Sequence, residues 1–338
     1  MRVGFNPNKD KIQEPNDFFH QVIIPIYIPN QEGYFKDSFQ ILRFCLESLF
    51  KTCHSQTYIT VVNNGSCDVV VQFLQQLLSE KKIHELIHST NIGYVNAMLK
   101  GIVGHDFQIV TTSDADVLFL NDWQKESYKL FDTFPKAGAI CPTPSSKTLK
   151  FYSYNQMFDC IFSKKMKFTI VKNPNAMRNF ASSIGNPNFY NEFHLNKFLT
   201  VTNNNIKAVV GAGHYIVTYK GCIFINLTEK YSGFVLGGGS DDLLDKPVVK
   251  QGYWRIATEY NYTYHMGNII EPWMAEKFNM IEDQSNLLLE KPSLKQINQN
   301  EIANFIKEKI FMRFLIIKPV WNLFLKYKGL SNEEANHY

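Results

Sequence analysis

The chain has 338 residues, 45% of them hydrophobic, and its 35 Lys and Arg against 31 Asp and Glu leave a formal net charge of +4. A chain of this length and apolar content can bury a large core, either as one large domain or as a domain with an appendage. The net charge is too small to indicate a nucleic-acid partner, so none is expected.

The N-terminus is polar and lacks the apolar segment of a secretory signal, and no later apolar run is long and uncharged enough to span a bilayer. A cytoplasmic protein is therefore expected. The six cysteines are scattered without a C-x-x-C pair. This spacing argues against a zinc cluster or a disulfide framework, and it predicts reduced, mostly buried thiols.

The first part of the chain alternates between strand and helix patterns. Apolar, β-branched runs predict strands at Gln21–Ile28, Thr57–Asn63, Ile83–Ser89 and Asp106–Ser113. Apolar residues at helical spacing predict helices at Ser38–Lys51, Asp68–Glu80 and Tyr94–Val103. Strands that alternate with helices predict an α/β fold, with a mostly parallel sheet flanked by helices.

The middle of the chain has weaker patterns. An Asn- and aromatic-rich stretch from Lys147 to Asn205 predicts a long irregular connection of the kind that often shapes a binding site. Residues Ala212–Asn226 predict a pair of strands, and the Gly-rich turn within Leu236–Leu244 predicts the start of a short helix.

A last strand is predicted within Tyr253–Asn268. Alternation along it would place Tyr260, Tyr262 and Tyr264 on one face. Most of these rings are expected to pack under the sheet, with one or two available to stack on a sugar.

The chain beyond Lys291 becomes helical, amphipathic and basic, so a helical tail is predicted over residues 290–330. Pro319 should divide this tail into two helical pieces, because proline interrupts the hydrogen bonds of a helix. Two interpretations stay open: the apolar side packs on the rest of the protein, or the tail contacts an anionic membrane from the inner side of the cell. Its basic residues are Lys307, Lys309, Arg313, Lys318, Lys326 and Lys328.

Two carboxylates, Asp114 and Asp116, follow the predicted strand Asp106–Ser113 directly. In open parallel sheets, ligands bind beyond the carboxyl ends of the strands. Hard cations such as Mn²⁺ and Mg²⁺ prefer carboxylate oxygens, and such a cation neutralises a diphosphate. The alternative is that the two acids only form a turn, since D-x-D is short and common.

Three segments carry a resemblance to a known family. They are "VVNNGSCD" at Val61–Asp68, "NIGYVNAMLKGI" at Asn91–Ile102 and "IVTTSDADVLF" at Ile109–Phe119. In this order and spacing they resemble the inverting glycosyltransferase family 2, including its bacterial polysaccharide enzymes, with the GT-A (Rossmann-like) fold.

The resemblance implies four parts of the chain. They are an N-terminal extension at 1–20, a nucleotide-sugar-binding half at 21–122, an acceptor-binding and catalytic half at 123–275, and the tail at 290–330. It also implies a metal-dependent transfer of sugar from a nucleotide-sugar donor, most simply a UDP-sugar, to a hydroxyl of a glycan or lipid-linked glycan.

By the same resemblance, Pro25 and Tyr27 frame the donor base, and Asn91 belongs to the donor site. Asn63 and Asn64 stand where the family usually has acids, one of which hydrogen-bonds the base. An Asn amide can also pair with a base edge. The alternative is a plain Asn-Gly turn.

The resemblance further implies that Asp114 contacts the ribose or the metal and that Asp116 ligates the metal, Mn²⁺ or Mg²⁺. His265 would complete the metal shell, although a lone His near a strand end is as often a hydrogen-bonded structural residue.

On the acceptor side, the resemblance makes an acid at the start of the helix after the Gly-rich turn the catalytic base. Counting back from Gly252 favours Asp241, with Asp242 beside it. Both acids could instead stabilise the helix N-terminus. His194 and His214 lie in the region expected to meet the acceptor, but no motif supports a role for either.

Two other functions are considered. A nucleotidyltransferase acting on sugar phosphates also combines an α/β sheet with metal-binding acids, but it would carry a Gly-rich phosphate loop after the first strand, and "PIYIPNQEGYFKD" has a single Gly. A non-catalytic carbohydrate-binding protein on a transferase fold would be expected to have lost Asp114, Asp116, Asp241 and Asp242, which are all present.

Overall fold

The computed structural model describes residues 4–12, 17–225, 227, 230–236, 239–297 and 300–338, apart from the side chains of Asp241 and Glu301. The strands are β1 (His20–Ile26), β2 (Thr57–Asn63), β3 (Glu85–His88), β4 (Ile109–Ser113), β5 (Val117–Phe119), β6 (Ala137–Cys141), β7 (Met166–Ile170), β8 (Lys197–Asn203), β9 (Ile206–Val210), β10 (Ile216–Lys220), β11 (Trp254–Ala257) and β12 (Thr263–His265).

The α-helices are α1 (Ser38–Thr52), α2 (Asp68–Ser79), α3 (Tyr94–Ile102), α4 (Trp123–Thr133), α5 (Tyr154–Cys160), α6 (Pro174–Ser183), α7 (Glu192–Asn196), α8 (Cys222–Ile225), α9 (Lys246–Lys250), α10 (Pro272–Asn279), α11 (Glu301–Phe305), α12 (Met312–Leu315), α13 (Lys318–Tyr327) and α14 (Asn332–His337). Short 3₁₀ turns lie at Gly33–Phe35 and Ser146–Lys150, and π-helical turns lie at Asp241–Asp245 and Ile306–Phe311.

Within the described residues, ten strands form one sheet in the order β3-β2-β1-β4-β10-β6-β11-β9-β8-β7. β1 to β4 are mutually parallel, and β11 is parallel to β6. Only β7, β9 and β10 run against the other seven strands of this sheet. The sheet is therefore mostly parallel, and the predicted α/β fold class of GT-A type is confirmed. β5 and β12 form a small second sheet.

Helices cover both faces of the sheet. On one face, α1 buries Leu42, Leu46 and Leu49 at helical spacing against the apolar side chains of β1. On the other face, α3 buries Val95 and Met98 in a second cluster. Each fully buried side chain of this size contributes roughly 1.5–3 kcal/mol. The sheet is thereby held rigidly between two layers, and its strand ends are fixed.

The predicted elements of the first part are confirmed to within a few residues, and β2 has the predicted bounds. The prediction of an irregular stretch from Lys147 to Asn205 is wrong, because α5, α6, α7, β7 and β8 lie there. Asparagines that look like loop formers cap helices instead. Asn173 Oδ1 accepts a hydrogen bond from Ala176 N at 3.1 Å, and Asn191 Oδ1 accepts one from His194 N at 2.9 Å.

Two further predictions are corrected. The range Ala212–Asn226 was predicted as a strand pair, but its described part, residues 212–225, holds one strand, β10, followed by the short helix α8. Tyr253–Asn268 holds two strands in different sheets, because the chain turns after β11, where Thr258 Oγ1 donates to Tyr260 O at 2.7 Å. Tyr260 and Tyr264 therefore do not share the face of one strand.

The tail packs one side on the protein and exposes the other. Pro319 stands in the first turn of α13, so the predicted break is confirmed. Trp321, Phe324 and Leu325 are buried in a cluster with residues of β6, β7, β8, β9 and β11 of the ten-stranded sheet. Lys328 is also buried, and its Nζ donates to Cys160 O and Ser163 O. Among the described residues, no helix has the length and apolar character needed to cross a membrane.

Candidate active site

The carboxyl ends of β1, β2 and β4 meet at one edge of the sheet, and Asp114 follows β4 at this edge. Its backbone N–H donates to Tyr215 O at 2.8 Å, which joins the end of β4 to the start of β10. The chain then enters β5, whose partner strand β12 places His265 opposite Val117. Met266 N donates to Asp116 O at 2.8 Å. Backbone hydrogen bonds therefore bring Asp114, Asp116 and His265 to one place.

Ligand atoms of Asp114, Asp116 and His265 all lie within 4.8 Å of one another. His265 Nε2 is 3.4 Å from Asp116 Oδ2. All three side chains are partly buried. We call this group the carboxylate–imidazole cluster.

A hydrogen bond orients the His265 ring. His265 Nδ1 lies 2.8 Å from Ser183 Oγ, at the end of α6. The Ser183 hydroxyl has one proton, which it donates to Phe180 O at 2.8 Å. Ser183 Oγ therefore accepts from Nδ1–H, and His265 Nε2 keeps its lone pair toward Asp116. A partner on the second ring nitrogen is typical of histidines that ligate metals.

The electrostatics of the cluster favour a cation. Burial raises the pKa of Asp114 and Asp116, and the charge of Asp116 raises the pKa of Asp114 further. Burial lowers the pKa of His265. Two buried carboxylates side by side are unfavourable without a positive charge between them. Two carboxylates and one neutral imidazole nitrogen fit Mn²⁺ or Mg²⁺.

Tyr94 is a contact of the cluster that the sequence interpretation missed. It begins α3, and its hydroxyl donates a hydrogen bond to Asp114 Oδ1. Tyr94 N also donates to Val235 O at 2.9 Å, which holds the loop at 230–236 beside the start of α3. The tyrosine in "NIGYVNA" gave no signal, because an aromatic residue in a helical pattern is normally core.

The predicted donor residues lie along the same edge. Asn63 ends β2 and Asn64 follows it, with only 4% and 3% of their surface exposed. Asn63 Oδ1 accepts from Ser66 N at 2.9 Å, and Asn64 Nδ2 donates to Asn91 Oδ1 at 3.2 Å. These three amides brace the loops after β2 and β3.

The other two predicted donor residues follow β1 toward the same edge. Pro25 is buried within β1, and Tyr27 just beyond it is exposed. The Tyr27 ring meets Phe35 edge to face at a centroid distance of 6.0 Å. An exposed aromatic face is thereby held beside the β2 loop.

The two predicted catalytic acids open the π-helical turn Asp241–Asp245. The Asp241 side chain lies outside the described residues. The Asp242 side chain is 53% exposed, and its Oδ1 accepts from Lys246 Nζ at 2.9 Å. This hydrogen bond lowers the pKa of Asp242.

A third acid of the same turn, Asp245, was missed. It is buried, and Arg255 Nη2 lies 2.7 Å from its Oδ1. His214 Nδ1 lies 2.7 Å from its Oδ2. The sequence signal for Asp245 was an acid that follows two leucines in "DDLLD", but the residues that pair with this acid are distant in sequence. His194, the other histidine considered, is buried as part of the N-terminal cap of α7.

Fold and cluster define an α/β protein of the GT-A class with a ligand set suited to a divalent cation. The family profile described as "Glycosyl transferase family 2" matches residues 22–197, just over half of the 338 residues. The chain therefore belongs to glycosyl transferase family 2. The resemblance read from the sequence motifs is confirmed.

Solved structures give more distant likenesses. The chain is similar to the mannosyltransferase PcManGT from Pyrobaculum calidifontis in complex with GDP-Man and Mn²⁺, with 14% identity and a TM-score of 0.41 over 73% of this chain and 58% of that one. It is also similar to S. aureus TarS 1-349 in complex with UDP-GlcNAc, with 12% identity and a TM-score of 0.43 over 93% and 77%. The chain thus spans less than two thirds of the mannosyltransferase. No curated protein matches the chain significantly.

Proposed function

We propose that the protein is a metal-dependent inverting glycosyltransferase that moves a sugar from a nucleotide-sugar donor, in the simplest case a UDP-sugar, to a hydroxyl of a glycan or lipid-linked glycan. The observation that carries this proposal is the carboxylate–imidazole cluster at the carboxyl edge of the sheet in a family 2 chain. Ligands of parallel α/β sheets bind at this edge.

Asp114, Asp116 and His265 are the proposed metal ligands. Mn²⁺ or Mg²⁺ bound there supplies positive charge that stabilises the nucleoside diphosphate as it leaves the sugar. The chain prepares the site before any ligand arrives, because Tyr94 fixes Asp114 and Ser183 fixes His265. Partial burial of the carboxylates strengthens their attraction for a cation by excluding the screening of bulk water.

The proposed donor site extends from the cluster along the ends of β1 and β2. Tyr27 offers an exposed ring on one side, and the braced turn of Asn63 and Asn64, tied to Asn91, forms the other. Pro25 fixes the chain below Tyr27. These contacts suit a flat nucleobase, and the resemblance alone favours uracil.

Deprotonation of the acceptor belongs to the opposite side of the cluster. The resemblance proposes Asp241 or Asp242 for this step. Asp242 is a weak candidate by itself, because the Lys246 hydrogen bond that lowers its pKa also makes it a poorer proton acceptor. The base assignment therefore rests on the resemblance only.

A donor-hydrolysis screen tests the proposal, because water replaces an unknown acceptor. Release of nucleotide is measured from UDP-glucose, UDP-galactose, UDP-GlcNAc and GDP-mannose, with Mn²⁺, with Mg²⁺ and with EDTA. We expect slow release from at least one donor that EDTA abolishes.

No release from any donor, or release that EDTA does not change, would contradict the proposal. A nucleotidyltransferase would instead form a nucleotide sugar from a sugar phosphate and UTP. A carbohydrate-binding protein would bind glycans without releasing nucleotide.

A second proposal concerns the tail, whose exposed side is apolar and basic. Phe314 is 61% exposed, and Ile316 and Ile317 are exposed beside it. Arg313 lies exposed just before these residues, and Lys318 lies exposed just after them. Apolar side chains flanked by cations suit the interface of an anionic membrane. Such a surface would bring the site to a lipid-linked acceptor.

Vesicle sedimentation tests this surface. The full chain is mixed with phosphatidylcholine vesicles, with and without phosphatidylglycerol. We expect sedimentation only with the anionic lipid, and its loss in the double variant Phe314→Ser with Ile317→Ser. Val103→Ser is the control, since Val103 is exposed but lies outside the tail. Equal sedimentation of both variants would refute the membrane role.

A further inference from the structure

Basic residues are concentrated in one segment of the chain. Between Asp132 and Glu192 the sequence has eight Lys and Arg residues and a single acid, Asp159. The net charge of this segment therefore exceeds the +4 of the whole chain. Asp159 is already paired, since its carboxylate oxygens lie 2.8 Å from Lys136 Nζ and 2.9 Å from Lys307 Nζ. Most of these cations therefore have no acid in their own segment to pair with.

Two of these cations, Lys147 and Lys150, lie in the 3₁₀ turn Ser146–Lys150. Both residues are exposed, and in the described part of the chain neither forms an ion pair with a carboxylate. Burial of its side chain lowers the pKa of Lys150, and the charge of Lys147 lowers it further. Two like charges thus lie close together without a counter-charge, which a bound anion would supply.

Aromatic rings hold both ammonium groups in place. Lys147 Nζ lies 5.6 Å from the centroid of the Phe189 ring, and Lys150 Nζ lies 4.8 Å from that of the Trp321 ring. A ring face attracts a cation without neutralising its charge. The two charges are therefore positioned and remain available to a partner.

Two half-buried rings connect Lys147 with the carboxylate–imidazole cluster. The Phe180 ring meets His265 at a centroid distance of 5.7 Å, and the Phe189 ring lies 6.0 Å from that of Phe180. Lys147 Nζ lies over Phe189. Both phenylalanines are only partly buried. Because aromatic faces stack on sugar rings, a glycan that begins at the cluster can extend along Phe180 and Phe189 to the lysines.

The turn that carries the lysines is fixed against the loop from β9 to β10. Gly211 of this loop has φ +93°, and an added Cβ would lie 2.5 Å from Thr148 O. Only glycine fits at this close approach. Directly after the turn, Arg255 Nη1 donates to Phe151 O at 3.1 Å. The turn therefore has a fixed position beside the loop that leads into β10.

We propose that Lys147 and Lys150 bind a negatively charged group of the acceptor, so that the acceptor is an anionic glycan. The inference rests on the proposed glycosyl transfer and deepens it, because it names the class of acceptor. The glycan extends from the carboxylate–imidazole cluster over Phe180 and Phe189 and presents a carboxylate or a phosphate to the two ammonium groups. Both anions accept the charge-assisted hydrogen bonds that lysine donates.

The test measures the preference for a charged over a neutral saccharide. Trigalacturonate is compared with its neutral methyl ester, and maltotriose 6-phosphate is compared with maltotriose, so that the two pairs separate carboxylate from phosphate. Dissociation constants are measured by calorimetry with UDP and Mn²⁺ at low ionic strength. The variants are Lys147→Gln with Lys150→Gln, and Lys147→Glu with Lys150→Glu.

Lys164→Gln with Lys165→Gln is the matched control. These two lysines belong to the same basic segment, are exposed and form no ion pair in the described part of the chain. They lie between α5 and β7, where Lys328 Nζ of the tail donates to Ser163 O at 3.1 Å. The control therefore removes the same charge outside the turn Ser146–Lys150.

We expect the wild type to bind at least one charged saccharide about tenfold more tightly than its neutral counterpart, the factor that one charge-assisted contact supplies. Added salt should weaken this preference. The glutamine variant should bind both members of the pair about equally, and the glutamate variant should prefer the neutral one. The control should keep the wild-type preference, and thermal unfolding checks that all variants fold.

Equal binding of charged and neutral saccharides by the wild type would overturn the inference and leave the proposed function intact. A preference that both variants of Lys147 and Lys150 keep, or that only the control loses, would overturn it as well. Loss of vesicle sedimentation in the glutamine variant, with its saccharide preference unchanged, would assign the two lysines to an anionic membrane instead. If the wild type releases nucleotide from no donor but shows the lysine-dependent preference, the proposed function is wrong and the site for an anionic glycan remains.

Discussion

Histidines lie at both edges of the central sheet, but the charge of their surroundings differs between the two edges. At the amino edge, buried His20 at the start of β1 lies 2.6 Å from Tyr128 Oη and 2.7 Å from Thr111 Oγ1. His54 Nε2 lies 2.7 Å from the same hydroxyl. At the carboxyl edge, the cluster gathers two acids and a histidine around a shared point. Both edges use the ends of β1, β2 and β4.

The difference lies in how charge is handled. Burial lowers the pKa of His20, and lowers that of His54 to about 4, so both are neutral and their hydrogen bonds are made within the chain. The carboxyl edge instead holds acids whose pKa is raised by burial and by each other. The first arrangement stabilises the fold without a ligand, whereas the second is one that a cation would complete.

The largest expected effect is at the carboxyl edge. Asp116→Asn should reduce Mn²⁺-dependent donor hydrolysis by at least about 100-fold, because it removes a direct metal ligand. Even the loss of a residue that only hydrogen-bonds a ligand typically lowers metal affinity or activity about 10–100-fold. Thermal stability should stay equal or rise, since repulsion between two buried carboxylates is relieved. Rates and melting temperatures are compared with Asp122→Asn, an exposed acid paired with Lys125.

If Asp116→Asn instead lost stability and kept its activity, the two edges would have the same role, and the comparison would be wrong.

The histidines of the amino edge should affect the stability of the fold and not the activity. His20 and His54 have a pKa below the ordinary 6.5 in the folded chain, so the unfolded chain binds more protons below that pH. The contribution of these two histidines to the free energy of unfolding should therefore fall as pH decreases from 6.5 toward 4, whereas the raised pKa of Asp114 and Asp116 acts in the opposite direction. From the shift of His54 alone, at 1.36 kcal/mol per pH unit, the loss is about 3 kcal/mol.

Urea unfolding at a series of pH values measures this loss. The difference in free energy of unfolding between wild type and the variant His54→Gln isolates His54, and it should decrease as pH falls from 6.5 to 4. A difference between wild type and His54→Gln that stays constant between pH 6.5 and 4 would show that His54 is not held neutral.

The smallest expected effect concerns Ser183, which orients His265. Ser183→Ala should weaken Mn²⁺ affinity in the presence of UDP by about tenfold, the lower end of the range for an indirect metal partner. Ser79→Ala is the matched control, because Ser79 Oγ donates to Gln76 O at 2.8 Å at the end of α2, as Ser183 does to Phe180 in α6. Calorimetric titration with Mn²⁺ compares the two, and equal affinities would remove Ser183 from the site.

Much of the fold follows from local sequence. The strand-and-helix alternation before residue 122 is strong because each element is buried on a sheet with both faces covered, so its apolar pattern is continuous. Asp114 and Asp116 are predictable for the same reason, since a buried strand that ends in two acids marks the sheet edge. The role of His265 could be predicted only from the family resemblance that the ordered motifs carry.

The remainder depends on contacts between distant segments. Asp245 meets His214 and Arg255 only because β10 and β11 lie on either side of β6. Ser183 is reached because a stretch rich in asparagine folds into α6, with Asn173 as its cap. No local sequence pattern predicts the contacts of Asp245 or of Ser183, because the folding of distant segments brings these residues to their partners.

The proposed function depends on one divalent cation held by Asp114, Asp116 and His265 at the carboxyl edge of the sheet. Crystals grown with UDP and Mn²⁺, measured by anomalous diffraction at the manganese edge, test it most directly. We expect one anomalous peak bonded to these three side chains and to the diphosphate. A manganese peak and diphosphate located away from Asp116 would contradict it.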